Sequence, residues 1–461
     1  MSNNRLRHPL TAVAGALLMT VPWLLLHGFR MKGVFNLWPG LIPGLKATEE
    51  TALGELGLII VVAGIAILGA SFLLAWAAET AEEDVPRAFA LAVLAILAVA
   101  PEYAVDALYA WEAGANPGSN AGNLAVANMT GANRILIGLG WSGIALFTVY
   151  KVAKTSDPAV EEHRGFLADR IRLDRDISTE IFFLFVATVY AFFVPLNGGI
   201  GILDTIFLVG LYVVYILSAL NAPHTDEEQV GIPAYLQSFS KLRRVATVLA
   251  LFVFSGVVIL VAVEPFAHGL EYSGTSIGIS SFLMIQWVAP LASESPELIV
   301  VAYLVNKARS TAGFNALISS KLNQWTLLIG TLAIVYSISF GSIATLQFNA
   351  EQSGEIWLTA AQSYFALTIL MSFDISMREA VALLVLFVSQ VVIAFAIDAG
   401  VLGLDLLFTL HAFTALYLVL GTALLIYRRA ALVELVGLTR QQVFGDGVHA
   451  EPDPEVQPTE D

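Results

Sequence analysis

The chain has 461 residues, of which 57% are hydrophobic and only 13% charged, and its mean hydropathy is +0.75. Soluble domains carry about 25% charged residues, so an ordinary soluble protein is excluded, and a net charge of −15 argues against nucleic acid as a partner. Cysteine is absent, which removes a disulfide framework, a thiolate metal site and a thiol redox centre.

Apolar runs near the ~20 residues needed to cross a bilayer recur from end to end. In chain order they predict an all-α polytopic membrane protein with twelve spans. These lie near 10–28, 52–78, 86–113, 120–150, 179–196, 200–221, 242–265, 275–308, 314–340, 356–373, 378–398 and 401–427. The first follows Arg5 and Arg7 as a signal peptide would. No small-residue cleavage site comes after it, so it reads as a span. The segment 31–46 is broken by Pro and Gly and reads as interfacial. The acidic run Glu79, Glu82, Glu83 and Asp84 reads as a solvated face, with a regulatory cation site as the alternative. Loop 151–178 mixes both signs of charge and predicts a surface helix. The tail after Phe444 interleaves acids with prolines and reads as disordered.

The basic residues fix an orientation. Eighteen Lys and Arg fall in loops on the side of the N-terminus, and three (Arg30, Lys32 and Lys46) fall on the other side. The positive-inside rule then puts both termini in the cytoplasm, as in a protein of the cell (inner) membrane. The two basic residues left over, Arg134 and Lys321, lie inside spans.

Charges at the bilayer centre cost at least ~2.5–3.5 kcal/mol and are normally kept for a function. Several cluster in the stretch 288–325, which holds Glu294, Pro296, Glu297 and Lys321, and this stretch has a twin. A-P-E-Y-A-V-D-A-L-Y-A-W-E-A-G from Ala100 resembles S-P-E-L-I-V-V-A-Y-L-V-N-K-A-R from Ser295. Each Pro-Glu opens a helical stretch and is followed by a polar break and a second apolar segment. Five spans separate the copies, so they face opposite ways. Inverted repeats with broken helices at the midplane are the architecture of secondary transporters.

This pattern resembles the two α-repeats of the cation/calcium antiporter superfamily, which includes the sodium/calcium exchangers. The resemblance runs over roughly residues 52–398. It rests on Pro101, Glu102, Ala125, Asn128, Gly131 and Asn133 in the first copy, and on Ser293, Pro296, Glu297 and Ser320 in the second. It implies five plus five spans in inverted halves, with one extra helix at each end. Residues 1–51 then hold an extra span and the interfacial segment, 52–221 the first half, 222–241 a cytoplasmic linker and 242–398 the second half. Residues 399–430 form the last span and 431–461 an acidic disordered tail. The chain departs from the family pattern at Ala98, Val99, Ala132 and Leu136, where hydroxyls or amides are usual. Glu294 replaces a serine, and Lys321 stands at a neutral Asn position equivalent to Asn133.

The implied activity is secondary active cation antiport of the sodium/calcium exchanger type, by alternating access. A hard cation needs oxygen ligands, about six to eight for Ca²⁺. Glu102 and Glu297 fit as the opposed charged ligands, with Asp106 one helical turn beyond Glu102 on the same face, and with Glu294 beside Pro296. Ser293, Asn128, Ser320 and Gln324 fit as neutral ligands. Lys321 fits as a coupling group that releases a proton or an ion pair when a cation arrives, and Arg134 as a fixed partner of one carboxylate. Both basic side chains should point near the four acids, with Glu294 as a helix cap being the alternative for that residue. No cofactor is implied beyond the transported cation (Ca²⁺, Na⁺ or H⁺). The implied partners are the lipid bilayer and small inorganic cations, with the oligomeric state left open.

Three other functions fit parts of the sequence. One is a cation/proton exchanger in which Lys321 and the acids carry protons, and another is a transporter-like protein whose site is closed by its own cations. The last is an intramembrane aspartyl protease using Asp374 and Asp405.

Overall fold

The computed structural model describes residues 9–30, 53–81, 83–84, 99–155, 157–161, 165–221 and 231–444. It is an all-α polytopic membrane protein. Among the described residues nine helices are long and apolar enough to cross a bilayer, and the bent pair 281–293 and 297–306, kinked by 49°, makes a tenth. Helix Ala350–Leu370 has the length of a span but carries Glu351, Gln352, Glu355 and Gln362. Helix Ala100–Ala115 is the second part of the span expected at 86–113, and residues 86–98 lie outside the described residues, as do segment 31–46 and Glu82. Large apolar side chains face outward along the helices. On Lys241–Ser276 they include Leu249, Val253, Val257 and Leu260, at spacings of four, four and three, which is one helical stripe presented to lipid.

Three expectations are corrected. Loop 151–178 is not a surface helix: Val160–Glu161, Arg170–Arg172 and Asp374–Ser376 form a three-stranded antiparallel sheet. Arg170, Ile171, Arg172 and Leu173 alternate polar and apolar, and Ile171 and Leu173 are the buried pair, so the period is that of a strand. The region from 431 is not disordered throughout, because Arg429–Phe444 is a helix that buries Leu435 and Thr439. The remainder of the tail lies outside the described residues. The seventh span does not stop at Pro265. Helix Lys241–Ser276 runs through it, as membrane helices tolerate where neighbours satisfy the freed backbone.

Two features position the centre of the bundle. The helices that follow each Pro-Glu segment both loosen into π-helical turns, Leu136–Trp141 and Gln324–Leu328. Extra residues of this kind inside a helix are frequent at functional sites. Packing is also reciprocal: helix Ala100–Ala115 lies against Ile329–Phe340, and helix Ser295–Asn306 lies against Ser142–Thr155.

Candidate ion site

Helix Ala100–Ala115 starts with a proline in its first turn and carries Glu102 there, with Asp106 one turn on. Helix Ser295–Asn306 starts the same way and carries Glu297. Proline is accommodated at a helix start because the N–H it lacks has no intrahelical acceptor there. Glu102 and Asp106 are 2% and 1% exposed, and Glu294 is fully buried. Glu294 occupies the cap position of the second Pro-Glu helix, yet its side chain makes no cap bond. It reaches across to the following helix instead, so the capping alternative is set aside.

The acids and the neutral candidates meet in pairs. Asn128 Nδ2 donates to Asp106 Oδ1 at 2.9 Å, Ser320 Oγ to Glu297 Oε1 at 3.0 Å, and Gln324 Nε2 to Glu294 Oε1 at 2.7 Å. Ser293 lies within reach of Glu102, while its hydroxyl donates on its own helix turn to the carbonyls of Ala289 and Pro290. Glu102 lies within electrostatic reach of Glu297 and Asp106, and Glu294 within reach of Glu102, Glu297 and Lys321. Four oxygens remain buried without a protein partner: Asp106 Oδ2, Asn128 Oδ1, Glu294 Oε2 and Gln324 Oε1. Buried acceptors left open are uncommon and mark places where something else binds. Among the described residues no three His, Asp or Glu side chains are close enough together to hold a metal ion.

The two basic residues part company. Lys321 Nζ donates to the backbone and side-chain oxygens of Asn133, at 3.2 and 3.0 Å, and lies over the Trp325 ring. Residues 133 and 321 are 188 apart in sequence, and the same spacing separates the starts of the two π-turns. Two equivalent positions therefore bond to each other. Arg134 does not point at the four acids. It pairs with Glu355 on helix Ala350–Leu370 and lies 4.7 Å from the Trp287 ring centre. Gln362 donates to the Arg134 carbonyl, and Gln390 to Gln362 and to the Tyr417 hydroxyl, which carries a buried polar network out to helix Leu406–Tyr427. Glu355 and Trp287 were not singled out by the sequence. The signal available was the in-span arginine, which needs an acid in reach.

The protease reading fails on geometry. Asp405 caps the start of helix Leu406–Tyr427, donating nothing and accepting from Phe408 N at 2.7 Å. Asp374 sits by Arg428 at the far end of the same helix and is bonded to Arg170. Those 22 residues span about 33 Å at ~1.5 Å each, so the two carboxyls cannot share a substrate.

The description "Sodium/calcium exchanger protein" fits two stretches, residues 55–221 and 247–396, which together make up more than half of the chain. The chain belongs to this family. The exchanger is 41% identical to a solved H⁺/Ca²⁺ exchanger CAX, over 94% of this chain and 98% of that one, with a TM-score of 0.80. It shares its fold with YfkE, described as a Ca²⁺/H⁺ antiporter, at 15% identity over 84% of this chain and 98% of that one, with a TM-score of 0.55. No curated protein matches it. The exchanger is thus an integral membrane cation/calcium antiporter and not an enzyme.

Proposed function

We propose that the exchanger moves Ca²⁺ against H⁺ at the paired carboxylates Glu102 and Glu297, with Glu294 and Asp106 as the further acids. The observation that carries this reading is Glu294. It is fully buried, has one unpartnered oxygen, and stands within reach of both Pro-Glu carboxyls. Three buried carboxyls within electrostatic reach of one another in a low-dielectric interior cannot all stay charged alone. Ca²⁺ and protons are alternative ways to neutralise them, and that exclusivity is the coupling. The likeness to an H⁺/Ca²⁺ exchanger supports the same choice. Sodium coupling is less favoured, because Ala132 and Leu136 offer no oxygen where the family pattern has hydroxyl or amide ligands. Lys321 does not plug the site. It bonds to Asn133 and leaves oxygens of Glu294 and Asp106 open.

On this reading the halves 52–221 and 242–398 are inverted repeats that rock around the Pro-Glu helices, with both termini in the cytoplasm. Ser293, Asn128, Ser320 and Gln324 supply neutral oxygens, and Lys321 moves between Asn133 and Glu294 as the charge of the site changes. The test is transport in reconstituted vesicles, recording Ca²⁺ uptake and lumenal pH under separate Na⁺ and pH gradients. Uptake driven by a pH gradient in Na⁺-free medium is expected, with Glu102→Gln and Glu297→Gln each cutting it by about a hundredfold or more. Uptake that follows only a Na⁺ gradient overturns the proton coupling. Uptake indifferent to both substitutions overturns the site.

A further inference from the structure

A second set of polar groups leads from this site toward one end of the bundle. Glu180 stands in the first turn of helix Ser178–Ala191. Its Oε1 accepts from the Tyr215 hydroxyl at 3.1 Å, and its Oε2 is buried with no partner. Tyr212 lies one turn from Tyr215 on helix Ile202–Asn221, with ring centres 5.9 Å apart, and its hydroxyl too is buried and unpartnered. Tyr212 is in turn within electrostatic reach of Tyr103, which also reaches Asp106 and donates to Asn323 at 3.3 Å. A branch leaves Tyr215 for Ser319, the neighbour of the Ser320 that holds Glu297. Among the described residues the other charged group acting on Glu180 is Asp176, on the turn before its helix. Tyr212 and Tyr215 are 4% and 8% exposed, so the file runs inside the protein.

We propose that Glu180, Tyr215, Tyr212 and Tyr103 form a proton path between that end of the bundle and the acids Asp106 and Glu297. This rests on the H⁺ coupling proposed above. Single hydroxyls in file suit a proton and not Ca²⁺. Each hydroxyl oxygen accepts one proton on a lone pair and releases its own to the next acceptor, with water closing the gaps, whereas Ca²⁺ must keep about six oxygens throughout. Glu180, able to hold a proton on either oxygen, is the collecting group. Protons and Ca²⁺ then meet at the same carboxyls but arrive by different routes.

The two routes can be told apart in vesicles carrying the full chain. Ca²⁺ uptake driven by a pH gradient needs net proton movement, while exchange of labelled Ca²⁺ for Ca²⁺ does not. Tyr212→Phe and Tyr215→Phe keep the rings and their packing, and Glu180→Gln keeps the shape of the carboxyl. Each is expected to slow gradient-driven uptake by about tenfold or more with self-exchange unchanged. No slowing, or equal slowing of both modes, overturns the path. A wild-type chain that self-exchanges Ca²⁺ but ignores the pH gradient overturns the proton coupling itself, and the path with it.

Discussion

Arg134 and Glu355 show what a single buried charge demands. Taking one charge out of water costs several kcal/mol unless it is paired, and removing one partner of a buried pair costs about 3–5 kcal/mol. Glu355→Ala is therefore expected to lower the melting temperature in detergent sharply, since Arg134 is 2% exposed and, among the described residues, pairs with no other acid. Replacing both residues with apolar ones of similar size, Arg134→Met with Glu355→Leu, should recover most of the loss. A double variant as unstable as Glu355→Ala would show that the pair does more than neutralise itself. The sequence made the Pro-Glu carboxyls legible because their pattern occurs twice, and it made Arg134 legible as a charge in need of an explanation. Its partner stayed hidden for a small reason. Reading the span as starting at 356 put Glu355 just outside it, whereas the helix begins at Ala350. Nothing local relates residues 134 and 355, since the pairing exists only through packing.

At the scale of elements, the close crossing at Gly131 decides how the central helices meet. A Cβ on Gly131 would overlap the backbone carbonyl of Gln286, in the π-turn Met284–Val288. Backbone cannot give way as a side-chain tip can. Gly131→Ala is expected to cost ~1–3 kcal/mol through overpacking and to reduce transport more than expression, because Thr130 beside it bonds to Gln286. Measuring Ca²⁺ transport per folded molecule checks this, and a fully active Gly131→Ala chain would refute it. Most of the described helices were legible from apolar run lengths, with ends shifted by a few residues, although the seventh runs on to Ser276 past the expected end at 265. The sheet at 160–172 was not, because its third strand, Asp374–Ser376, comes from some 200 residues further on. The π-turns were also invisible, since no residue pattern in the two segments announces an extra residue in a turn.

For the molecule as a whole, the ion pairs at one end tie distant parts of the chain together. Arg244, in the first turn of the long helix Lys241–Ser276, grips Asp84 with two hydrogen bonds of 2.6 and 2.7 Å, and Arg170 grips Asp374. The Arg244 guanidinium holds the Asp84 carboxyl below its usual range. A folded-state value below the ordinary one means the pair adds stability above that ordinary value and loses it as acid protonates the carboxyl. The melting-temperature gap between wild type and Asp84→Asn should be present at pH 7 and close below about pH 4. A gap that persists in acid would mean the contact works without its charge. The contact of Lys321 with Asn133 has a historical consequence. In an ancestor made of two identical halves, a position that touches its own counterpart would have faced itself. Two lysines there would repel, while two asparagines can bond as donor and acceptor. A lysine facing an asparagine needs the two positions to differ, so this one contact can form only where the copies are not identical.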